Sequence, residues 1–395
     1  MTASLARPIA SGWQWRALGD CAQLINGRAY AQHELLSLGT PVIRIQNLNG
    51  GDRWYYSDLS LPDDKYCSAG DLLFAWSASF GPYVWTGPRS IFHYHIWRVV
   101  PGNELDKGFA YHLLDWITAK VRAASHGVAM LHMTKGGMEA WQIPLPPLVE
   151  QRRIADVLDR AEALRTKRRA ALAQLDTLTQ SIFLDLFGGA ESETWPLRRV
   201  EDLASTGDGS MRTGPFGSQL LHSEFTKTGI AVLGIDNVVS NEFTWGEPRF
   251  ISPEKYRQLK RYTVHPGDVL ISIMGTCGRC AVVPEDVPVA VNTKHLFCIT
   301  LDQQVCSPLF LHAYFLRHPI ARQYLEQTAK GAIMAGLNMG IIRKVPVRVP
   351  PLTVQETFAS RIAAVENLKS AQRRSLAELN ALFASLQHRA FRGEL

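Results

Sequence analysis

Ile143-Pro-Leu-Pro-Pro-Leu-Val-Glu-Gln151 opens a long patterned segment that runs to about Phe187. Val349-Pro-Pro-Leu-Thr-Val-Gln355 opens another, running to about Phe391. The two are one motif used twice. Pro146 and Pro350, Leu148 and Leu352, Gln151 and Gln355, Ile154 and Phe358, Leu158 and Ile362 are each 204 residues apart. So are Leu172 and Leu376, Leu175 and Leu379, Ile182 and Leu386, and Phe187 and Phe391. An ungapped repeat of this length in a chain of 395 residues means that the protein is built as two halves.

Both segments read as helix. Ile154, Leu158, Ala161, Leu172, Leu175, Ile182 and Leu186 recur at alternating threes and fours, as do Phe358, Ile362, Val365, Leu376, Leu379, Phe383 and Leu386. That spacing makes a coiled-coil-like seam with polar residues around it. Pro147 and Pro351 suit the extended approach that proline favours. A helix of about 38 residues is about 57 Å long, which fits a strut better than a packed core. The seam turns polar in the middle, at Arg165 and Arg168 in one copy and Lys369 and Gln372 in the other. If the helices pair antiparallel, these middles face each other as a register-setting layer. Alternatively they are solvated, and the seam slips to Leu164 and Leu368.

The length allows two to four domains. The formal charge of +6 suits an anionic partner such as nucleic acid without demanding one. No signal-peptide pattern is visible in Met1–Trp15, and no apolar run approaches membrane-spanning length, which points to a soluble cytoplasmic protein. The cysteines are Cys21, Cys67, Cys277, Cys280, Cys298 and Cys306. Their scatter argues against a disulfide framework, and Cys277-Gly-Arg-Cys280 lacks the second pair that a zinc site needs. Free thiols are expected.

Residues 1–148 form the first unit. Strand-like runs occur at Pro41–Asn47, Gly70–Trp76 and Ile96–Val100, a helix at Ala110–Ala124, and a loop with a short helix over Gly127–Ala140. The long helix takes 149–188, and Gly188–Thr194 is a polar break. A second unit over 189–352 then restarts the first, and the other long helix takes 353–395. Trp195–Asp202 echoes Trp13–Asp20, Gly229–Asn237 echoes Gly39–Asn47, and Gly267–Ile273 echoes Gly70–Trp76. The offset grows from 182 to 190 to 197 to 204, so the second copy carries longer loops. The expected fold class is α+β: two similar domains with twisted sheets, separated by two long antiparallel coiled-coil helices, with an internal pseudo-two-fold repeat. One frame with two loop surfaces suits binding of two different things of one kind.

No catalytic constellation is visible. There is no phosphate-loop motif and no H-E-x-x-H, and each Pro-Pro pair is followed by leucine, not by an aromatic residue as in an amino-methyltransferase. His93-Tyr-His95 places two imidazoles on one face of an extended run, where an aromatic-rich surface is the plainer reading than a metal. What the loops offer is a set of cationic and amide groups. The first copy has Arg28, Arg44, Gln46, Asn47, Ser77, Ser79, Arg98 and Lys135. The second has Arg212, Ser218, Gln219, Asn237, Thr276, Arg279, Lys294, the Lys330-Gly331 turn, Asn338, Arg343 and Lys344. Lys and Arg suit DNA phosphates, and Gln, Asn and Arg can read base edges.

At this point the chain resembles the specificity subunit of type I restriction–modification enzymes over nearly its whole length. The resemblance is carried by Thr213-Gly-Pro-Phe-Gly-Ser-Gln219, Gly229–Asn237, Arg261-Tyr-Thr-Val-His-Pro-Gly-Asp-Val-Leu-Ile-Ser272 and Gly275-Thr-Cys-Gly278. Leu337-Asn338, the duplicated Pro-Pro-Leu-x-x-Gln and the closing Ala390-Phe-Arg-Gly-Glu-Leu395 complete it. The resemblance implies two target recognition domains, each gripping one half of a bipartite asymmetric sequence in double-stranded DNA. It also implies two modification (methyltransferase) subunits, together with restriction/translocase subunits, as partners. Ile154, Leu158, Leu172, Leu175, Ile182, Phe358, Ile362, Leu376, Leu379 and Leu386 would then pair the helices and dock those subunits. It implies no catalysis, metal or cofactor on this chain, with S-adenosylmethionine, ATP and Mg²⁺ on the partners. The first half departs from the pattern. It lacks Gly-Pro-Phe-Gly, and Ser77-Ala-Ser-Phe-Gly81 stands where Gly-Thr-x-Gly is expected. Rival readings are a stand-alone DNA-binding regulator, a nuclease with an unrecognised site, and a silent specificity subunit.

Overall fold

The computed structural model of the chain describes residues 10–124, 133–329 and 337–395. The Lys330-Gly331 turn and residues 127–132 of the Gly127–Ala140 segment lie outside them. The chain forms two compact units, residues 1–170 with 373–395 and residues 171–372, so each unit takes a share of both long helices.

In the first unit the elements are β1 (Gln14–Ala17), β2 (Ala22–Asn26), β3 (Thr40–Ile43), β4 (Tyr55–Ser57), β5 (Tyr66–Cys67), β6 (Leu72–Ala75), β7 (Gly81–Val84), β8 (Ser90–Phe92), β9 (Ile96–Pro101), helix α1 (Lys107–Ala124) and β10 (Gln142–Leu145). Helix α2 (Leu148–Phe187) follows. The second unit has β11 (Leu197–Arg199), β12 (Met211–Thr213), β13 (Ile230–Leu233), β14 (Phe250–Ile251), α3 (Pro253–Leu259), β15 (Thr263–Val264), β16 (Val269–Ser272), β17 (Cys280–Val282), β18 (Ala290–Asn292), β19 (Leu296–Ile299), α4 (Pro308–Arg317), α5 (Pro319–Ala329) and β20 (Pro346–Arg348). Helix α6 (Leu352–Ala390) closes the chain.

Every strand has a counterpart ten places on. The first unit holds the antiparallel sheet β2-β9-β6-β7, the mixed sheet β4-β3-β8-β5 and the pair β1-β10. The second holds β12-β19-β16-β17, β14-β13-β18-β15 and β11-β20. In each mixed sheet only the central pair is parallel, β3 with β8 and β13 with β18. Strands β6 and β16 are buried at every position, as their unbroken apolar runs require. Helix α3 stands before β15, where the first unit has only a turn of 3₁₀ helix at Asp63–Lys65. That accounts for part of the growing offset.

The aspartate of each Gly-Asp turn shows how the copies diverge. Asp71 accepts from the Ser68 amide at 2.8 Å, and Asp268 from the His265 amide at 2.8 Å. Asp268 is fully buried and paired with Arg212 of β12 at 2.5 Å. The corresponding cation in the first unit is Arg98 of β9, 3.9 Å from Asp71. The turn carboxylate has a cation beside it in both copies, but not from the same strand.

Gln151 and Gln355 join the helices to the units. Both are fully buried. The Gln151 amide donates to the carbonyls of Glu104 and Pro146, each at 2.8 Å, and its oxygen accepts from the Asp106 amide at 2.7 Å. Gln355 donates to Val305 (3.0 Å) and Pro350 (2.9 Å) and accepts from Ser307 (2.7 Å). The prolines leave carbonyls with no helical partner, and the glutamine supplies one while tying down the loop before α1 or α4.

In both units the two helices run antiparallel. In the first, Arg153 reaches the Leu395 carbonyl (2.7 Å) and Arg165 reaches Asn380 (2.8 Å). In the second, Lys369 pairs with Asp176 (2.9 Å) and Arg361 with Asp185 (3.1 Å). The seam does not slip. Leu164 and Leu368 are 48% and 53% exposed, whereas Lys369 is 5% exposed. Arg165 bonds Asn380 and covers the Phe383 ring at 4.3 Å, while Lys369 is held by Asp176 and Glu366. Ile154, Leu158 and Phe358 are buried, and Leu172, Leu175, Ile182, Ile362, Leu376, Leu379 and Leu386 are half-buried. The cores reach into the helices: Phe391 packs on Phe109 and Trp116, and Phe187 on Phe310 and Phe358.

Replacing Gln355 with leucine strands one amide and two carbonyls in the interior, at roughly 1–3 kcal/mol for each unsatisfied group. The expected result is a lower urea midpoint with little change in helical circular dichroism, and Gln151→Leu should behave alike.

Candidate nucleic-acid interface

Four loops meet at one edge of the first unit, at the ends of β2, β3, β6 and β8. The turn His93-Tyr94-His95 is their hub. His93 N–H donates to the Ile43 carbonyl (2.9 Å), Tyr94 N–H to Arg28 (3.0 Å), and Trp76 N–H to His95 (3.1 Å). The Trp76 indole donates to the Tyr94 carbonyl at 2.8 Å. The second unit repeats the hub as Thr293-Lys294-His295, with Thr293 donating to Leu233 and Ile273 to His295, both at 2.9 Å.

A glycine marks the same crossing in both copies. A Cβ on Gly214 would lie 2.0 Å from the Asn292 carbonyl oxygen, and one on Gly27 would lie 2.2 Å from that of His93. The backbone passes too close for any side chain. Gly27 thus holds in the first copy the place of Gly214 in Gly-Pro-Phe-Gly, a match hidden because the residues after it differ.

The surfaces around the hubs are unlike. The first unit presents rings: Tyr94 lies 3.8 Å from His95, and His93 and His95 are 5.0 Å apart. Arg44 and Arg53 both lie over the Tyr55 ring. The second unit presents Lys294 beside His295, exposed Thr276 and Arg279, and the exposed apolar groups Phe216, Trp245 and Met274. Burial lowers the pKa of both His93 and His295, so each hub carries a neutral imidazole with one donor and one acceptor.

Arg44, Gln46, Ser79, Thr276, Arg279 and Lys294 fall on these edges. Gln46 also donates to the Arg53 carbonyl (2.7 Å), and Ser79 accepts from Asn49 (2.7 Å). Ser218 and Gln219 lie on the exposed turn after Gly214, where Gln219 accepts from the Phe216 amide and the Tyr262 hydroxyl. Other candidates hold the fold together. Asn47 and Asn237 are buried, each accepting from the amide three residues back (Arg44 and Gly234) and donating to a loop carbonyl. Arg212 is committed to Asp268, and Ser77 is buried. Arg28 is clasped by Glu34, and Arg98 donates to the Tyr66 carbonyl (2.6 Å). A third group lies on other segments. Lys135 is 3.5 Å from Glu139, Asn338 caps the 339–343 helix, Arg343 pairs with Glu201, and Lys344 is exposed beside it. Phe216, Trp245 and Met274 escaped the sequence reading because an apolar residue announces a contact surface only once it is known to be exposed.

All six cysteines are free, and no group of three or more metal-ligating side chains comes together among the described residues.

His93 titrates at about 4, lowered by burial first and then by His95 and Arg44. The unfolded chain takes up this proton below about pH 6.5 while the folded chain does not. Stability should therefore fall as pH drops from about 6.5 toward 4. Thermal unfolding of a His93→Asn variant should show a shallower fall over the same window.

A family model described as the type I restriction modification DNA specificity domain matches residues 10–174 and again 194–381. The chain is 25% identical to the type I restriction enzyme EcoBI specificity subunit of Escherichia coli, over 98% of this chain and 87% of that one. The fold resembles the crystal structure of the type I restriction–modification S subunit from M. genitalium, with TM-score 0.59, 13% identity, and 98% and 97% of the two chains covered. It also resembles a chain from a structure of type I R-M complex assembly and conformational transition, with TM-score 0.57, 21% identity, and 98% and 100% covered. Matched twice and over well more than half its length, the chain belongs to the type I restriction modification DNA specificity family.

Proposed function

We propose that the chain reads a two-part asymmetric sequence in double-stranded DNA, one part with each unit, and directs methyltransferase and restriction subunits to it. The observation that carries this is the loop-bearing edge that occurs twice on one frame with different side chains. Rings and neutral imidazoles at one hub and cations with exposed apolar groups at the other would read unlike half-sites. A stand-alone regulator would gain its second reader by dimerising, and a chain that already holds two has no such need.

Catalysis belongs to the partners in this account, with S-adenosylmethionine, ATP and Mg²⁺ bound there. The chain works in the cytoplasm, where the DNA is; no described helix is long and apolar enough to cross a membrane. Two modification subunits dock on the helices. Because the seam residues are largely taken up by helix pairing, the docking groups are the leucines just outside it. Leu164 and Leu382 are 48% and 50% exposed in the first unit, and Leu178 and Leu368 are 44% and 53% exposed in the second. Each unit has one of these from either helix, as two equivalent docking sites require, and the second unit also exposes Leu184 (45%).

Co-expression with the modification subunit, followed by mapping of N6-methyladenine in host DNA, tests the proposal. The expected outcome is a two-part motif with a constant gap, methylated on opposite strands in its two parts. A stable complex that leaves no new methylation would count against active recognition, and failure to form any complex would favour the regulator.

A further inference from the structure

In the second unit, the loop before β12 and the short helix before β15 wall a notch of about 640 Å³. Ser205, Ser210 and the main chain of Gly207–Gly209 line one side, and Lys260, Arg261 and His265 the other. Its floor is Arg212, only 8% exposed and already neutralised by Asp268, so the floor repels no anion and adds no free cation. Lys260 and Arg261 are exposed and have no carboxylate partner among the described residues. Asp208 is the one acidic residue in the lining. The phenol in the wall, Tyr262, is buried under the Arg261 guanidinium, 4.7 Å from its ring, and offers no open face for a base. Hydroxyls, glycine amides, the Lys260 ammonium and the Arg261 guanidinium, which also donates to the Tyr262 hydroxyl, are the donor set of a phosphate site.

The first copy does not repeat it. Lys260 and Arg261 open the helical turn that leads directly into β15. The turn leading into β5 opens with Asp63 and Asp64 instead, and Asp63 pairs with Arg89 at 3.0 Å. The charge is reversed at corresponding positions, so the notch belongs to the second unit and not to the shared frame.

We infer that this notch binds a phosphate group and, resting on the proposed DNA reading, that the group belongs to the duplex backbone beside the second half-site. Contact there is independent of sequence: it anchors the second unit while the hub loops read bases.

The test compares full-length chain, Lys260→Ala/Arg261→Ala, and the charge-keeping Lys260→Arg/Arg261→Lys, all with the modification subunit bound. Duplex binding is measured across a salt series, with thermal midpoints to show that each variant folds. Loss of one phosphate contact should make the slope of log K against log salt shallower by about 0.9 and weaken specific and unrelated duplexes alike. The charge-keeping variant should retain the slope. A second arm adds inorganic phosphate or ATP to the chain alone. A midpoint that rises in the wild type but not in the alanine variant, with an unchanged DNA slope, would assign the notch to a free phosphate compound. Equal slopes in all three proteins and no midpoint rise would overturn the inference. Wild-type complex that binds no duplex would defeat the DNA reading, and the phosphate arm would still decide the notch.

Discussion

Two buried glutamine side chains hold the architecture together. Each opens a long helix just after a Pro-Pro pair, where the backbone cannot continue its own hydrogen bonding. Gln151 bonds the carbonyls of Glu104 and Pro146 and the amide of Asp106, and Gln355 does the same with Val305, Pro350 and Ser307. A primary amide is the side chain suited to this place, because it donates twice and accepts at once without carrying a charge into the interior. Three bonds to two chain segments fix the direction in which the helix leaves its unit. A strut on a loose mount could not hold a reader in place, so the functional account rests on this joint.

The repeat, the long helices and the central strands were legible in the sequence because each depends on local pattern: proline before helix, threes and fours along a seam, apolar runs between turns. The joint was visible as a motif, Pro-Pro-Leu-x-x-Gln, but its hydrogen bonds were not, since their partners lie about 50 residues upstream. The polar middle of the seam left two readings open for a physical reason. A lysine stem can lie along an apolar groove or swing out to water, and only the placement of Asp176 and Glu366 decides for Lys369. The recognition surface was the least legible part. Asn47, Asn237 and Arg212 have the right chemistry for reading DNA and are instead buried in turns and an ion pair. Trp245, Phe216 and Met274 have the composition of a core and are exposed.

The copies differ where function would need them to differ. Turn positions keep their roles even when the residues change, as when the cation for the turn aspartate comes from Arg98 in one unit and Arg212 in the other. The hub loops keep their backbone bonds, with Gly27 and Gly214 at the same tight crossing, while Tyr94 gives way to Lys294. Stacking rings and neutral imidazoles are little affected by salt, whereas lysine and arginine are strongly affected. On this account the two half-sites would be held by different forces.

The proposed function requires the paired helices to set the distance between the two readers. The direct test removes one heptad at the same place in each copy, Arg165–Ala171 together with Lys369–Ser375, which keeps the seam in phase and takes the buried charged residues out with it. Each helix shortens by about 10 Å at 1.5 Å per residue, roughly three base pairs of duplex. Methylation mapping of the variant complex should then return both half-sites unchanged, with a gap shorter by about three base pairs. A gap that keeps its original length while both half-sites are still methylated would contradict the account.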